Sequence, residues 1–251
     1  MDTIEQLLSR TSVRRFADRP VDRETLETIV LCAQHAPTSE YIQAYTVLNV
    51  TDQALRQQIF DRVTAQKPIL AAPAFLLFCA DVNRLVRAAE TGGATVPDSY
   101  LGSTETFLMA SMDTAIAAQN AVTAAEALGL GTTYIGGIRN NLSEMIRLFA
   151  LPRGVYPLFG MVLGYPAEGP EQRRSSAKPR LPLSLVLHEN QYNAGDASAL
   201  SAYDEAVRAY YRKRTAGQRN ESWSEQMAGF AAKPQRPDLK AALAAQGFSL
   251  E

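Results

Sequence analysis

The sequence predicts a mixed fold in which strands are interleaved with helices and a helix-rich tail follows. Three observations carry this reading. The run Ala74–Ala80 is apolar throughout, as in a strand buried on both faces. The stretch Ala110–Ala127 is crowded with alanine and almost free of charge, as in a helix buried nearly all round. The tail from Ala199 is polar and amphipathic, holds Tyr210, Tyr211 and Trp223, and breaks at Pro234 and Pro237.

The elements follow in order. Asp2–Ser9 reads as a short helix. Asp22 caps an amphipathic helix that opens at Thr25 and Leu26, runs to about His35 and ends before Pro37. Tyr45–Val50 is β-branched and aromatic enough for a strand, and Asp52 caps a helix over Gln53–Arg62. Arg87–Ser99 contains Gly92, Gly93 and Pro97 with few core-forming residues, and reads as a mobile loop. Ser103 or Thr104 starts the longest helix, which Gly129-Leu130-Gly131 stops after about Leu128. Its small side chains suit the centre of a dimer, or else a central helix of a monomer. Thr132–Ile138 reads as a strand, Asn141–Phe149 as a helix and Val155–Leu163 as a strand.

Bulk properties exclude several function classes. The chain of 251 residues is 46% apolar, enough for a substantial core, and no stretch resembles a linker between independent cores. A formal net charge of -1 gives no general field for nucleic acid or anionic lipid, so an anion site must be built locally. Met1–Arg10 lacks the apolar run of a signal peptide, and Ile69–Ala80 is too short to span a bilayer. The expected location is the cytoplasm. Cys32 and Cys79 read as reduced, buried thiols, and no second ligand pair completes a zinc pattern with His35 or His188. No Gly-x-Ser-x-Gly elbow, phosphate-binding Gly-Lys loop or Gly-x-Gly-x-x-Gly turn is present.

Four polar clusters remain, each at a turn. In Arg10-Thr11-Ser12-Val13-Arg14-Arg15-Phe16, guanidiniums and hydroxyls suit a phosphate, although an ordinary basic turn has the same composition. Ala36–Tyr45 offers Thr38, Ser39 and Gln43 after a helix end, and alone is a turn leading into a strand. Thr133–Asn141 places Gly136-Gly137 where a backbone approaches a ligand closely, or where a bulge forms. Lys178-Pro179-Arg180-Leu181-Pro182 presents two cations on a stiff segment, or simply a solvated basic loop.

Taken together and in this order, these clusters resemble the nitroreductase superfamily, most closely its branch of larger NADPH-preferring flavin reductases and oxygen-insensitive nitroreductases. The resemblance runs nearly end to end. It includes Ser12–Phe16, Thr38–Tyr45, Phe78–Asp81 with Asn83-Arg84, Ala117–Asn120, Ala124–Gly131, Tyr134–Asn140, Pro157–Gly160, Lys178–Pro182, His188–Asn190, Tyr210–Thr215 and Trp223-Ser224.

The resemblance implies an α+β fold, a mainly antiparallel sheet flanked by helices, in an intertwined homodimer with FMN at the interface. It implies a core over residues 1–195 and a helical C-terminal extension over 196–251 that packs on the dimer. By motif position, Arg10, Thr11, Ser12 and Arg14 would hold the FMN phosphate and ribityl chain with Lys178 and Arg180. Gln66 and Lys67 would reach the ribityl or pyrimidine edge. Tyr134, Ile135, Gly136 and Gly137 would lie along the isoalloxazine, and Thr38, Ser39 and Gln43 would come from the partner chain. The family usually has His-Arg or a similar pair where this chain has Arg10-Thr11. Arg214 and Arg219, just after the paired tyrosines, would face the 2′-phosphate of NADPH. The implied activity passes electrons from NADPH through FMN to nitroaromatics, quinones, azo compounds or free flavin by ping-pong kinetics, with no catalytic side chain and no metal. Flavin fragmentation, dehalogenation and non-enzymatic redox sensing are the competing functions on this fold.

Overall fold

The computed structural model describes residues 2–169, 177–193, 195 and 197–251. By internal contacts the chain divides into two units, Met1–Gly169 with Arg236–Glu251, and Pro170–Gln235.

The first unit is built on four strands, β1 (Tyr45–Asn49), β2 (Ala74–Asp81), β3 (Gly131–Ile135) and β4 (Val155–Gly164). They lie in the order β1-β2-β4-β3, every neighbouring pair antiparallel. Alternation along β2 separates two cores. Leu76 and Phe78 face one layer, and Phe75, Leu77 and Cys79 face the other. All eight residues of β2 are buried, which explains the unbroken apolar run. The β2–β4 register shifts between Phe78 and Cys79, where Pro157 stands opposite Cys79. A proline inside a central strand is accommodated at such an irregularity.

Before and between the strands lie α1 (Thr3–Ser9), α2 (Arg23–Gln34), α3 (Gln53–Arg62), α4 (Pro68–Ala71), α5 (Asn83–Thr91), α6 (Asp98–Gly102), α7 (Thr104–Ala127) and α8 (Leu142–Leu148). The expected caps form: Asp22 accepts from the Thr25 N–H, Asp52 from Ala54 and Ser103 from Thr106. Helix α7 packs with α2 on one face of the sheet, where Ala117, Ala118, Ala121 and Ala125 are fully buried. Methyl-sized side chains let these backbones approach closely. Gly129, at φ +83°, then turns the chain in a conformation that L side chains rarely adopt. Helix α7 differs from the expectation in one respect: Leu108, Met112 and Ile116, four residues apart, form an exposed apolar stripe on it.

Three sequence expectations are corrected. Cys32, expected to be buried like Cys79, is exposed on α2. The mobile loop expected over Arg87–Ser99 is helical to Thr91, because no breaker occurs between Asn83 and Gly92, and Asp98–Gly102 is helical again. The strand expected over Thr132–Ile138 ends at Ile135, and Gly136–Asn141 forms a 3-10 turn that feeds α8. The glycine pair gives up extended backbone there.

The C-terminal helix α11 (Leu239–Ala245) belongs to this first unit. Ala242, Leu243 and Phe248 join Leu101, Met109, Leu142 and Tyr156 in a third core cluster. The second unit contains α9 (Ala197–Arg214) and α10 (Trp223–Ala231), joined through Tyr203, Val207, Tyr211 and Trp223. A capping box between Ser222 and Glu225 starts α10. Among the described residues no helix is long and apolar enough to cross a membrane.

Candidate functional site

The segment Arg10–Arg14 is laid against the start of β3. Val13 donates its N–H to the Thr132 carbonyl at 2.9 Å, and its own carbonyl accepts from the Thr133 hydroxyl at 2.5 Å. Gly131 permits this contact, since a Cβ there would meet Val13 Cγ2 at 2.4 Å. With Val13 buried inward, Ser12 and Arg14 on either side are exposed, as alternation requires. Arg14 has no ion pair among the described residues. Arg10 differs: its Nε donates to Glu126 Oε1 at 3.2 Å, and the Thr132 hydroxyl donates to the same oxygen.

At the far end of β3 the chain brings Gln66, Gly136 and Gly137 together. A Cβ on Gly137 would lie 2.4 Å from both Gln66 Nε2 and Thr64 Oγ1, so the two segments touch only because that position is glycine. The Gln66 amide donates to the Thr64 hydroxyl at 3.3 Å. Lys67 stays exposed beside Pro68, which opens α4. Along β3, Ile135 is fully buried, whereas Tyr134 keeps 37% exposure and packs the rest of its side chain inward, meeting Phe159 edge-on at 4.9 Å. Burial pushes the Tyr134 phenol up to about 12, against the lowering effect of Arg10. The first N–H groups of the 3-10 turn at Gly136 have no partner within the turn, and no side chain caps them.

Arg236 also reaches this corner. Its Nη2 donates to the Gly136 carbonyl at 3.4 Å and its Nε to Asn140 Oδ1 at 3.1 Å. Arg139 beside it donates to the Leu158 carbonyl, and burial, followed by the Arg236 charge, lowers its pKa. Arg236 was not singled out in the sequence, where it is one basic residue between two prolines.

Thr38, Ser39 and Gln43 stand on a separate loop. No hydrogen bond among the described residues links that loop to Arg10–Arg14, Gln66 or Gly136-Gly137. Its backbone is left-handed at three non-glycine residues, Glu40 (φ 47°), Tyr41 (φ 61°) and Gln43 (φ 55°). Each costs roughly 1–2 kcal/mol. Asp113 of α7 offsets this: its Oδ1 accepts the Ser39 N–H at 2.9 Å and its Oδ2 the Ala44 N–H at 3.2 Å. Hydrogen bonds to a charged group contribute roughly 1.5–3 kcal/mol each, enough to hold the loop.

In the second unit, Lys178 and Arg180 line a cavity of about 630 Å³ together with Tyr203, Tyr210, Tyr211 and Trp223. Arg180 donates to the carbonyls of Lys178 and Pro179, and Lys178 Nζ lies 6.0 Å from the Tyr211 ring centroid. Neither cation is paired with a carboxylate among the described residues. Arg219 stacks 3.9 Å over Tyr211, donates to Gln226 and pairs with Glu221. Arg214 donates to the Tyr210 hydroxyl.

The donor set fits a flat, anionic cofactor. In the first unit a glycine pair leaves room for backbone approach, an amide stands beside it, and Arg14 carries charge that no carboxylate answers among the described residues. In the second unit, taken by itself, Lys178 and Arg180 are likewise unpaired with carboxylates among the described residues. No cluster of three or more His, Cys, Asp or Glu able to hold a metal occurs among the described residues.

Comparison with known proteins agrees with these features. The model of the nitroreductase family matches residues 7–165, and the model of the nitroreductase family C-terminal domain matches residues 178–251. The oxygen-insensitive NADPH nitroreductase of Salmonella typhimurium is 40% identical over 247 residues, 98% of each chain. The FMN reductase (NADPH) of Bacillus subtilis is 38% identical over 251 residues, 99% of this chain and 98% of its own. The structure of the NfrA1 nitroreductase of B. subtilis superposes with a TM-score of 0.91 at 38% identity, covering 99% of both chains. With both halves of the sequence matched and relatives aligned over nearly their whole length, this chain belongs to the nitroreductase family.

Proposed function

We propose that the protein is an FMN-dependent oxidoreductase that draws electrons from NADPH and delivers them to small flat acceptors such as nitroaromatics, quinones or free flavin. The observation that carries this reading is full-length similarity to an NADPH nitroreductase and an NADPH-dependent FMN reductase. Bound FMN supplies the two-electron chemistry, and the protein orients and tunes it.

The chain's own residues hold, orient and polarise. Arg14, Thr11 and Ser12 are suited to a phosphate and ribityl hydroxyls, and Lys178 and Arg180 offer the same kind of charge. Arg10 contributes less, because Glu126 already answers its guanidinium. Gln66, Lys67 and the N–H groups at Gly136 and Gly137 face the polar edge of the ring, where donors stabilise negative charge. Tyr134 and Ile135 extend that wall. Thr38, Ser39 and Gln43 serve the partner's cofactor, so each site needs two chains. Leu108, Met112 and Ile116 give α7 an apolar face for that dimer, as in interfaces that resemble a core cut in half. Arg214 and Arg219 bias the site to NADPH over NADH. No side chain acts as acid or base. One open face that takes donor and acceptor in turn gives ping-pong kinetics, and the protein works in the cytoplasm.

The test is an absorbance spectrum of the purified protein, then NADPH and NADH oxidation against a panel of acceptors. A yellow protein that releases FMN on denaturation and oxidises NADPH is expected. A colourless protein that also fails to bind added FMN would refute the reading.

A further inference from the structure

We propose that Asp113 is a positioning residue whose buried carboxylate fixes the Thr38–Ala44 loop, so that Thr38, Ser39 and Gln43 are presented to the cofactor. The inference rests on the reading that this loop reaches FMN.

Asp113 is 1% exposed, in the middle of a helix whose neighbouring turns, at Ala110 and Ala117, are fully buried. It therefore stands on a rigid platform. Among the described residues it pairs with no cation; its partners are the two loop amides. Burying a carboxylate is unfavourable unless its oxygens are satisfied, and here both oxygens are spent on the two ends of one loop. Ser39 and Ala44 bracket the three left-handed residues, and within the bracket the Gln43 N–H donates to the Thr38 hydroxyl at 3.3 Å. The carboxylate thus closes a chord across the loop, and the threonine hydroxyl closes a second, shorter one. The geometry calls for a carboxylate: two N–H donors need two acceptors, and an amide side chain has one.

Three measurements on the FMN-loaded protein test this: hydrogen exchange of the loop amides, FMN release on serial dilution, and the visible circular dichroism of bound FMN. Asp113→Asn should speed exchange over residues 39–44 and weaken FMN binding roughly 10- to 150-fold, the size expected for one lost charged hydrogen bond. It should change the flavin dichroism while exchange in α7 stays at the native rate.

A second pair of variants avoids the buried site. Ser39→Pro deletes the N–H that Oδ1 accepts, and Thr38 is already extended as a residue before proline prefers. Ser39→Ala removes only the hydroxyl. Ser39→Pro should bind FMN more weakly than Ser39→Ala. Equal binding in that pair, or faster loop exchange in Asp113→Asn with unchanged FMN affinity and dichroism, overturns the proposal. So does weakened binding accompanied by faster exchange throughout α7, which is plain destabilisation. The double variant Thr38→Ala with Gln43→Ala tests the underlying reading separately. If it binds FMN like the native protein, the loop does not reach the cofactor, whatever Asp113 does.

Discussion

Gly137→Ala isolates the contact on which the ring-edge assignment depends. The added methyl would lie 2.4 Å from Gln66 Nε2, 2.4 Å from Thr64 Oγ1 and 3.1 Å from Thr64 Cβ. Gln66 can swing its amide away. Thr64 is 8% exposed and packed, so the backbone must give. Overpacking of this kind costs roughly 1–3 kcal/mol, which for a chain of this size is roughly 2–12 °C in Tm at about 2–4 °C per kcal/mol. The displaced Gln66 should also lose its bond to the cofactor, weakening FMN binding up to roughly tenfold. Gly136→Ala is the internal control. Its methyl would meet nothing nearer than Arg139 Nη2 at 3.6 Å, an ordinary contact, so its effect should stay within about 0.5 kcal/mol. Scanning calorimetry reads the first effect, and flavin fluorescence on dilution reads the second. Equal Tm losses for the two variants would refute the packing argument. Native FMN affinity in Gly137→Ala, despite a lower Tm, would remove Gln66 from the cofactor.

Three further outcomes are expected. Arg214→Ala should raise the Michaelis constant for NADPH roughly 10- to 150-fold, the worth of one charged hydrogen bond, with NADH nearly unaffected and FMN retained; equal losses would mean that Arg214 only holds Tyr210. Met112, 48% exposed at the centre of the α7 stripe, should not tolerate charge: Met112→Lys should yield single chains by sedimentation at micromolar concentration, and an undisturbed dimer would move the interface elsewhere. Hydrogen bonds from Arg147 and then Arg62 hold the Glu144 carboxyl at about 2, below its ordinary 4.5. Its contribution to stability is therefore full above about 4.5 and lost as pH falls through about 2, so the Tm gap between native protein and Glu144→Gln should close over that window; a gap constant with pH contradicts the pairing.

What could be read from the sequence was local. Asp22, Asp52 and Ser103 cap helices because each side chain accepts an N–H two or three residues away. The β2 run and the alanine-rich helix are equally local patterns, and both form. The misreadings have local causes too. Gly136-Gly137 follows a β-branched and aromatic run that reads as one continuous strand, yet glycine also permits the 3-10 turn that occurs. Gly92, Gly93 and Pro97 pointed to a loop, but a breaker ends a helix without dissolving the residues before it. Asp113 and Arg236 lay beyond any local signal. Asp113 meets Ser39 across 74 positions, and Arg236 meets Gly136 across 100. An acid in the middle of an alanine-rich helix looks like a minor blemish until folding shows which amides it receives.

Charge placement explains how a nearly neutral chain can recognise anions. At a net charge of -1 there is no long-range attraction, so recognition depends on which cations folding leaves unanswered. Arg10, Arg62, Arg147 and Arg208 each face a carboxylate and are occupied with holding structure. Arg14, Lys178 and Arg180 do not. The two basic residues at the ends of Arg10–Arg14 are therefore different in kind. Glu126 and Thr132 tie Arg10 to α7 and β3, and Arg10 anchors the segment, whereas Arg14 beyond the buried Val13 is exposed and has no ion pair among the described residues. By the resemblance, this chain departs from its family's usual pattern at Arg10-Thr11. The Arg10–Glu126 pair gives that departure a physical meaning: Arg10 stabilises the segment, which under the proposed function leaves Arg14 to supply the charge for the FMN phosphate.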